Sequence, residues 1–151
     1  MTESKKTQEQ NAPAILINSQ YIKDFSLEIP FAPEIFGEIK TNPDLHIDVE
    51  VTTRNLKENF FETALSFKIN GEVNNKKLFI LELVYAGVAA LNVPEEHREA
   101  VLMIELPRLL FPFARSVITN VLVEGGLPPF MLSPIDFVAL YQNRKAAEEN
   151  K

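Results

Sequence analysis

The apolar residues of this chain recur with a period of two in its first half and with helical spacing in its second half. A period of two places one side of a strand against a core and the other in water, whereas spacings of three and four residues mark one face of a helix. The change falls at Pro94, which two acidic residues follow, as is typical of a helix start. The pattern predicts a sheet followed by helices, which is the α+β class.

Alternating segments predict three strands, at residues 15–29, 45–52 and 61–69, and residues 78–85, which are apolar on both parities except for Glu82, predict a fourth, central strand. Short loops join the last three, and we place the second hairpin tip at residues 74–77 rather than at Asn70-Gly71. In the first strand, Tyr21 and Phe25 share one parity, while Asp24 has the other. The prediction is a four-stranded antiparallel sheet with two helices on one face.

The second half predicts two helices. Pro107 and Pro112 should break or kink the first, and Gly125-Gly126 should end it. The second should begin with Ser133 as its N-cap and Asp136 in its first turn. Because the first helix is apolar over more than one face, and a single sheet covers only one, we expect a second subunit against it.

One domain accounts for the 151 residues. Residues 1–13 predict a disordered tail, residues 14–143 form the domain, and the charged residues 144–151 should fray. A net charge of −6 disfavours nucleic-acid binding, and the absence of Cys excludes disulfides and thiolate metal sites. There is no apolar run of the roughly 18–20 residues that a membrane helix needs, and no signal-peptide pattern. We therefore expect a cytoplasmic protein that does not insert into a membrane.

The sequence contains no catalytic, cofactor or metal motif. His46 and His97 lack the spacing of a ligand pair, so we interpret both as solvated. Carboxylates are more informative, because they collect on the polar parity of the strands, where Lys68 is the clearest base. They suit either an ordinary solvated surface or a docking surface for a basic partner. The carboxylates on this parity are Asp24, Glu28, Asp48, Glu50, Glu62 and Glu82.

Large apolar residues also occur in Pro-rich connections, where we find Phe31, Phe36 and Phe130, with Met131 next to the last. Such residues either fold back over the core or offer an apolar surface to a ligand, and the pattern leaves both possibilities open. The strand residues that we expect in the core are Phe61, Phe67 and Phe79.

Several ordered segments between Tyr21 and Tyr141 resemble the family of the bacterial protein-export chaperone SecB. They are Tyr21-Ile22-Lys23-Asp24-Phe25-Ser26-Leu27-Glu28-Ile29-Pro30 with Ala32-Pro33, then Leu110-Phe111-Pro112-Phe113-Ala114-Arg115, Gly125-Gly126-Leu127-Pro128-Pro129, and Leu132-x-Pro134-Ile135-x-Phe137-x-x-Leu140. The chain departs from the family at Asp136, usually Asn, and at residues 130–132, often Leu-Asn-Leu. Its acidic C-terminal tail is also shorter and more mixed.

The resemblance implies a dimer of dimers with the long helices between the sheets, acting without catalysis or a cofactor. Its implied role is to hold unfolded precursor proteins in the cytoplasm and pass them to the export motor ATPase SecA. The implied SecA contact is Asp24, Glu28, Ile80 and Glu82. Positions implied in tetramer assembly are Leu81, Leu83 and Tyr85. The implied client groove comprises Phe31, Phe36, Phe130, Met131, Phe137 and Tyr141, of which the last two also suit the core.

Two alternatives remain open. A hot-dog-like thioesterase would share the length, the sheet and the buried helix, and would use Glu95, Glu96 or His97 at the helix start as its acid or base. An adaptor would bind one folded partner, and tests with unrelated unfolded proteins would distinguish it from a general holdase.

Overall fold

A computed structural model describes residues 13–150, and the predicted tail therefore lies, apart from Pro13, outside the described residues. The strands are β1 (Ile15–Glu28), β2 (Asp44–Lys57), β3 (Phe60–Val73) and β4 (Lys76–Leu91), with a short 3₁₀-helix (Glu34–Glu38) between β1 and β2. Next come α1 (Glu95–Ala100), a π-helical turn (Val101–Glu105), α2 (Leu106–Glu124) and α3 (Phe137–Glu149). The first three of these are continuous and together form what we call the long helix. The predicted α+β fold is confirmed.

The sheet is antiparallel throughout, with the strand order β1-β4-β3-β2. The β3–β4 hairpin turns at Asn74 and Asn75, whose φ angles of 50° and 61° suit a tight turn, so the preferred hairpin tip is confirmed. Asn70-Gly71 lies inside β3 instead. Glycine is needed there, because a Cβ on Gly71 would stand 2.4 Å from the ring of Phe79.

Three strands run beyond their predicted ends. β2 continues to Lys57, through residues that the polar composition assigns to a loop, β3 continues to Val73, and β4 continues to Leu91. The composition is misleading because β2 is an edge strand whose side chains at residues 52–57 are exposed, while its backbone still pairs with β3.

The strand register sorts the side chains onto two faces. One face lies under the long helix, where the Thr63 hydroxyl donates to the Leu102 carbonyl at 3.0 Å and the Phe67 ring lies 6.3 Å from that of Phe111. The opposite side, which we call the outward face, holds the even-numbered residues 46–54, 62–70 and 80–88. The core strand residues, all buried, include Phe61, Leu65, Phe67, Ile69, Phe79, Leu81 and Leu83.

Two β-bulges in β1, at Asn18 and Lys23, reverse the parity of the residues between them. The pairing with β4 shifts register between Ile22 and Asp24, so Lys23 is an extra residue. As a result, Tyr21 lies on the outward face together with Asp24, whereas Phe25 points to the helix side. The predicted shared parity of Tyr21 and Phe25 is wrong, because a strict period of two does not continue through a bulge.

The prolines do not break the long helix. Its backbone widens in the π-helical turn, where the N–H of Leu106 bonds to the carbonyl of Val101, five residues earlier. Pro107 follows this turn directly, where the hydrogen-bond register is already shifted, and Pro112 lies within α2. The predicted break does not occur, because the chain stays helical from Glu95 to Glu124.

Local hydrogen bonds set two helix ends. Gly126, with φ 81°, ends α2 as predicted, and the N–H of Leu127 bonds back to the Leu122 carbonyl at 3.0 Å. Asp136 is the N-cap of α3, since its carboxylate accepts the N–H of Ala139 at 3.0 Å. The predicted cap, Ser133, lies in the preceding loop.

α3 continues as far as Glu149, through residues for which we predicted fraying. Arg144 ties it to the sheet by donating to the Val51 carbonyl of β2 at 2.5 Å, and also donates to Glu148 at 3.2 Å. The last helix, α3, therefore continues past residue 143.

Candidate partner-binding surfaces

The residues that the resemblance assigns to the SecA contact lie together on the outward face. Across the β1–β4 ladder, Glu28 pairs with Ile80 and Glu82 pairs with Ser26, and Asp24 follows on the same face. Directly opposed side chains have Cβ atoms about 4.5–5.5 Å apart. The register therefore makes one continuous patch along two neighbouring strands.

This patch borders a shallow depression of about 350 Å³ that also contains Asp48 and Glu50 from β2. Lys68 Nζ is 3.7 Å from Glu82 Oε1, but both side chains are more than half exposed. Such a pair is weak, because water screens it. The depression extends the acidic surface across all strands of the sheet.

Glu62 lies on the same face but is nearly buried, with 7% of its side chain exposed. Its carboxylate accepts hydrogen bonds from the Tyr21 hydroxyl and from Lys23 Nζ at 2.8 Å, and Arg54 Nη2 is 3.8 Å away. Burial raises the pKa of Glu62, but the hydrogen bonds from Lys23 and Tyr21 and the two positive charges outweigh it and hold that pKa below its usual value. Burial, together with the Glu62 carboxylate, raises the pKa of Tyr21 to about 12.

The outward face therefore carries more bases than the sequence pattern indicates. The pattern identifies Lys68, whereas the structure adds Lys23, which the bulge brings to this face, and Arg54, which pairs directly with Glu62. Arg54 has an even residue number, like Asp48 and Glu50, and the alternation in β2 would therefore place it on the outward face. This inference requires that β2 continue past residue 52.

The apolar residues assigned to the client groove lie in separate places. Phe130 and Met131 line a cleft of about 250 Å³, formed by the loop after α2 together with residues of α2, β2 and β4. Phe36 faces this loop, since a Cβ on Gly126 would lie 3.7 Å from its ring. Phe31 is exposed in the β1–β2 connection and is not among the residues that line the cleft. Phe31, Phe36 and Met131 thus offer apolar surface rather than joining the core.

Phe137 and Tyr141 are not part of that cleft. Phe137 is 2% exposed and packs edge-on against Phe111 with the ring centroids 6.0 Å apart, so it belongs to the core, the alternative that the sequence leaves open. Tyr141 lines a second cleft, of about 330 Å³, between β2 and α3. The ammonium group of Lys145 lies 5.1 Å from the Tyr141 ring centroid.

The residues assigned to tetramer assembly lie beneath the chain's own long helix. Leu81 and Leu83 are 0% and 1% exposed, and the hydroxyl of the buried Tyr85 donates to Gln20 at 3.1 Å. Leu81 and Leu83 therefore belong to the core of this chain. Large apolar side chains that are exposed include Leu109, Phe113 and Val123 on the long helix and Leu16, Ile22 and Phe25 on β1.

The two histidines lie in polar, exposed surroundings. His46 is on the outward face of β2, and His97 Nε2 in α1 is 3.8 Å from Glu96. Within residues 13–150, no group of three or more His, Asp or Glu side chains is placed to hold a metal ion. In the same part of the chain, no helix has the length and apolar character needed to cross a membrane.

The architecture is that of SecB-like chaperones. It matches the structure of the SecB-like chaperone of Mycobacterium tuberculosis, which was solved in complex with a ChAD peptide from the HigA1 antitoxin. The TM-score is 0.68 over 82% of this chain and 91% of that one, at 13% sequence identity. This likeness establishes the fold.

The sequence itself matches the family described as "Preprotein translocase subunit SecB" over residues 8–148. The protein-export protein SecB of Rhodospirillum rubrum is 44% identical over 151 residues, which cover 100% of this chain and 94% of the relative. That of Paramagnetospirillum magneticum is 50% identical and covers 99% and 96%. The chain belongs to the SecB family of protein-export chaperones, which confirms the resemblance found in the sequence.

Proposed function

We propose that this export chaperone holds unfolded precursor proteins in the cytoplasm and delivers them to the SecA motor ATPase. SecA docks on the outward face, and clients bind in the apolar clefts. The observation that carries the proposal is the register that brings Asp24, Glu28, Ile80 and Glu82 onto one open side of the sheet. The cleft lined by Phe130 and Met131 shares no residue with the depression on the outward face, so the two kinds of partner have separate surfaces there.

The outward face suits a basic partner with a small contact area. Its carboxylates come from different strands and surround a shallow depression, and Ile80 supplies an apolar contact beside them. Complementary charge increases the association rate and selects against acidic partners. A short basic segment therefore fits this surface better than a long apolar chain does.

The clefts suit extended apolar chains of varied sequence. The first is lined by Leu45, Phe79 and Leu122 together with the loop residues Phe130 and Met131. Apolar walls of this kind bind side chains by burial, which depends little on sequence. With Phe36 beside the loop, they offer a client more than one apolar contact.

We also propose assembly into a homotetramer, a dimer of dimers. Leu109, Phe113 and Val123 are large apolar side chains exposed on the long helix. An apolar helix surface of this kind is typical of a subunit contact. Leu81 and Leu83 support the helix from below, so changes there act on assembly indirectly.

The decisive experiment is calorimetry with SecA on the double variant Asp24→Lys/Glu82→Lys. We expect SecA binding to be lost and client holding to be nearly unchanged, since the clefts lie elsewhere. The matched control is Glu95→Lys/Glu96→Lys, which makes the same charge change on exposed residues of α1 and should bind SecA normally. Undiminished SecA affinity in the first variant would mean that the outward face is only a solvated surface.

We propose further that the protein acts by binding alone. In the thioesterase alternative, Glu95, Glu96 or His97 would be the acid or base, but all three are exposed in the first turn of α1. Turnover of an acyl-CoA substrate, lost on substitution of these residues, would support the enzyme instead. Holding of a single folded protein, with no effect on unfolded ones, would support the adaptor.

A further inference from the structure

Glu62 is a nearly buried carboxylate on a face where the neighbouring acids are open. It lies on β3, and Tyr21 and Lys23 reach it from β1, across the intervening strand β4. Ala86, the β4 residue opposite Tyr21, is small and leaves room for this crossing. Arg54 lies directly opposite Glu62 on β2, so the cluster joins both edge strands to the centre of the sheet.

The bulge at Lys23 connects this cluster to the proposed SecA contact. Without the extra residue, Tyr21 and Asp24 would point to opposite faces, and Tyr21 would not reach Glu62. Lys23 directly precedes Asp24 in the chain, so their Cα atoms are about 3.8 Å apart. A Lys23 ammonium not bound to Glu62 can therefore approach the Asp24 carboxylate to within the Debye length of about 8 Å.

We propose that Glu62 is a positioning residue for SecA docking, which holds Lys23 and Arg54 so that a basic partner meets the open carboxylates rather than these two bases. The proposal rests on the proposed docking of SecA to the outward face. It adds Glu62, a residue outside the contact, which determines how much positive charge lies beside the contact. Because Glu62 is almost excluded from water, its attraction to the two bases is screened less than that of the exposed pair Lys68–Glu82. Removing its charge leaves both bases on the face with no equivalent partner.

The test is the rate of association with SecA at low and high salt, for the wild-type protein and for Glu62→Gln and Lys23→Met. We expect Glu62→Gln to associate roughly three- to tenfold more slowly at low salt, with the difference shrinking as salt is added. Lys23→Met, which removes one of the bases, should associate faster than the wild type. The control is Glu95→Gln, which makes the same charge change on exposed α1 and should associate at the wild-type rate.

Titration of the Tyr21 phenol gives a readout that does not involve SecA. Its pKa, about 12 in the wild type, should fall in Glu62→Gln, which shows that the cluster has been opened. A wild-type protein that does not bind SecA would refute the docking function itself, whatever Tyr21 does. SecA binding by the wild type, with equal rates for Glu62→Gln and Glu95→Gln, would refute only the role of Glu62. If Glu62→Gln does not fold, Lys23→Met decides, because a rate at or below that of the wild type contradicts the proposal.

Discussion

The two sides of the sheet use the same strands for different purposes. Glu82 and Leu83 are neighbours in β4, yet Glu82 is more than half exposed on the outward face, whereas Leu83 is buried under the long helix. On the helix side, each residue is constrained by packing. On the outward side, charges can be placed for a partner with little effect on the core, so one strand supports both folding and docking.

A second contrast lies within the outward face. Glu62 and Glu82 share a parity, but Glu62 is enclosed by Tyr21, Lys23 and Arg54, whereas Glu82 meets one exposed lysine. Equal parity therefore does not mean an equal environment. What separates the two acids is the set of neighbours that the other strands provide.

The largest effect is expected from Leu83→Asp, which changes a buried residue on the side of the sheet that the long helix covers. An unpaired carboxylate at this buried position should cost about 3–5 kcal/mol, a large part of the roughly 5–15 kcal/mol that stabilises a domain. We expect dimers or unfolded chain by light scattering, whereas Glu82→Gln on the neighbouring residue should leave the mass unchanged. A wild-type monomer at micromolar concentration would contradict the proposed tetramer.

The double variant Phe36→Ser/Phe130→Ser tests whether the two sides bind different partners. Removing two apolar contacts should weaken the holding of several unrelated unfolded proteins roughly tenfold or more, measured as faster client refolding, while SecA affinity stays normal. Leu56→Ser, at an exposed position near the end of β2, serves as a control for the loss of apolar surface. Unchanged client holding at equal folded content would place the groove elsewhere.

Glu62→Ala and Glu82→Ala sharpen the comparison between the two acids. The first leaves the Tyr21 hydroxyl and two bases without their acceptor and should cost about 1–3 kcal/mol in the free energy of unfolding. The second removes an exposed charge and should change that free energy by less than about 0.5 kcal/mol. Urea denaturation measures both, and equal losses would mean that the enclosed cluster adds no stability.

The smallest expected effect is a dependence on acid pH. Folding lowers the pKa of Glu62. The stability that the ionised carboxylate contributes is therefore present above its pKa in the unfolded chain, about 4.3, and is lost as the pH falls through its pKa in the folded protein. The stability difference between the wild type and Glu62→Gln should therefore narrow between pH 7 and pH 3. A difference that stays constant over this range would show that the charge of Glu62 is not what stabilises the cluster.

Much of the fold could be predicted because it depends on local patterns. Alternation in residues 45–52 and 61–69 predicts strands, Asn74 and Asn75 tolerate the turn that joins β3 to β4, and Gly126 adopts the positive φ that ends α2. The polar parity of the strands also assigns Asp24, Glu28 and Glu82 to the outward side, where the register places them. For these features, neighbours in sequence supply the physical cause.

What the sequence determined by itself was which side chains of β2 and β3 face the core, together with the turn at Asn74-Asn75 and the end of α2 at Gly126. Only the tertiary structure decided that Lys23 is a bulge, that Glu62 is enclosed and that Phe137 packs on Phe111. The reason is that each of these depends on residues distant in sequence, in strands or helices that meet only in the folded chain. A period of two predicts which side a residue faces, but the partners on that side are set by register and packing.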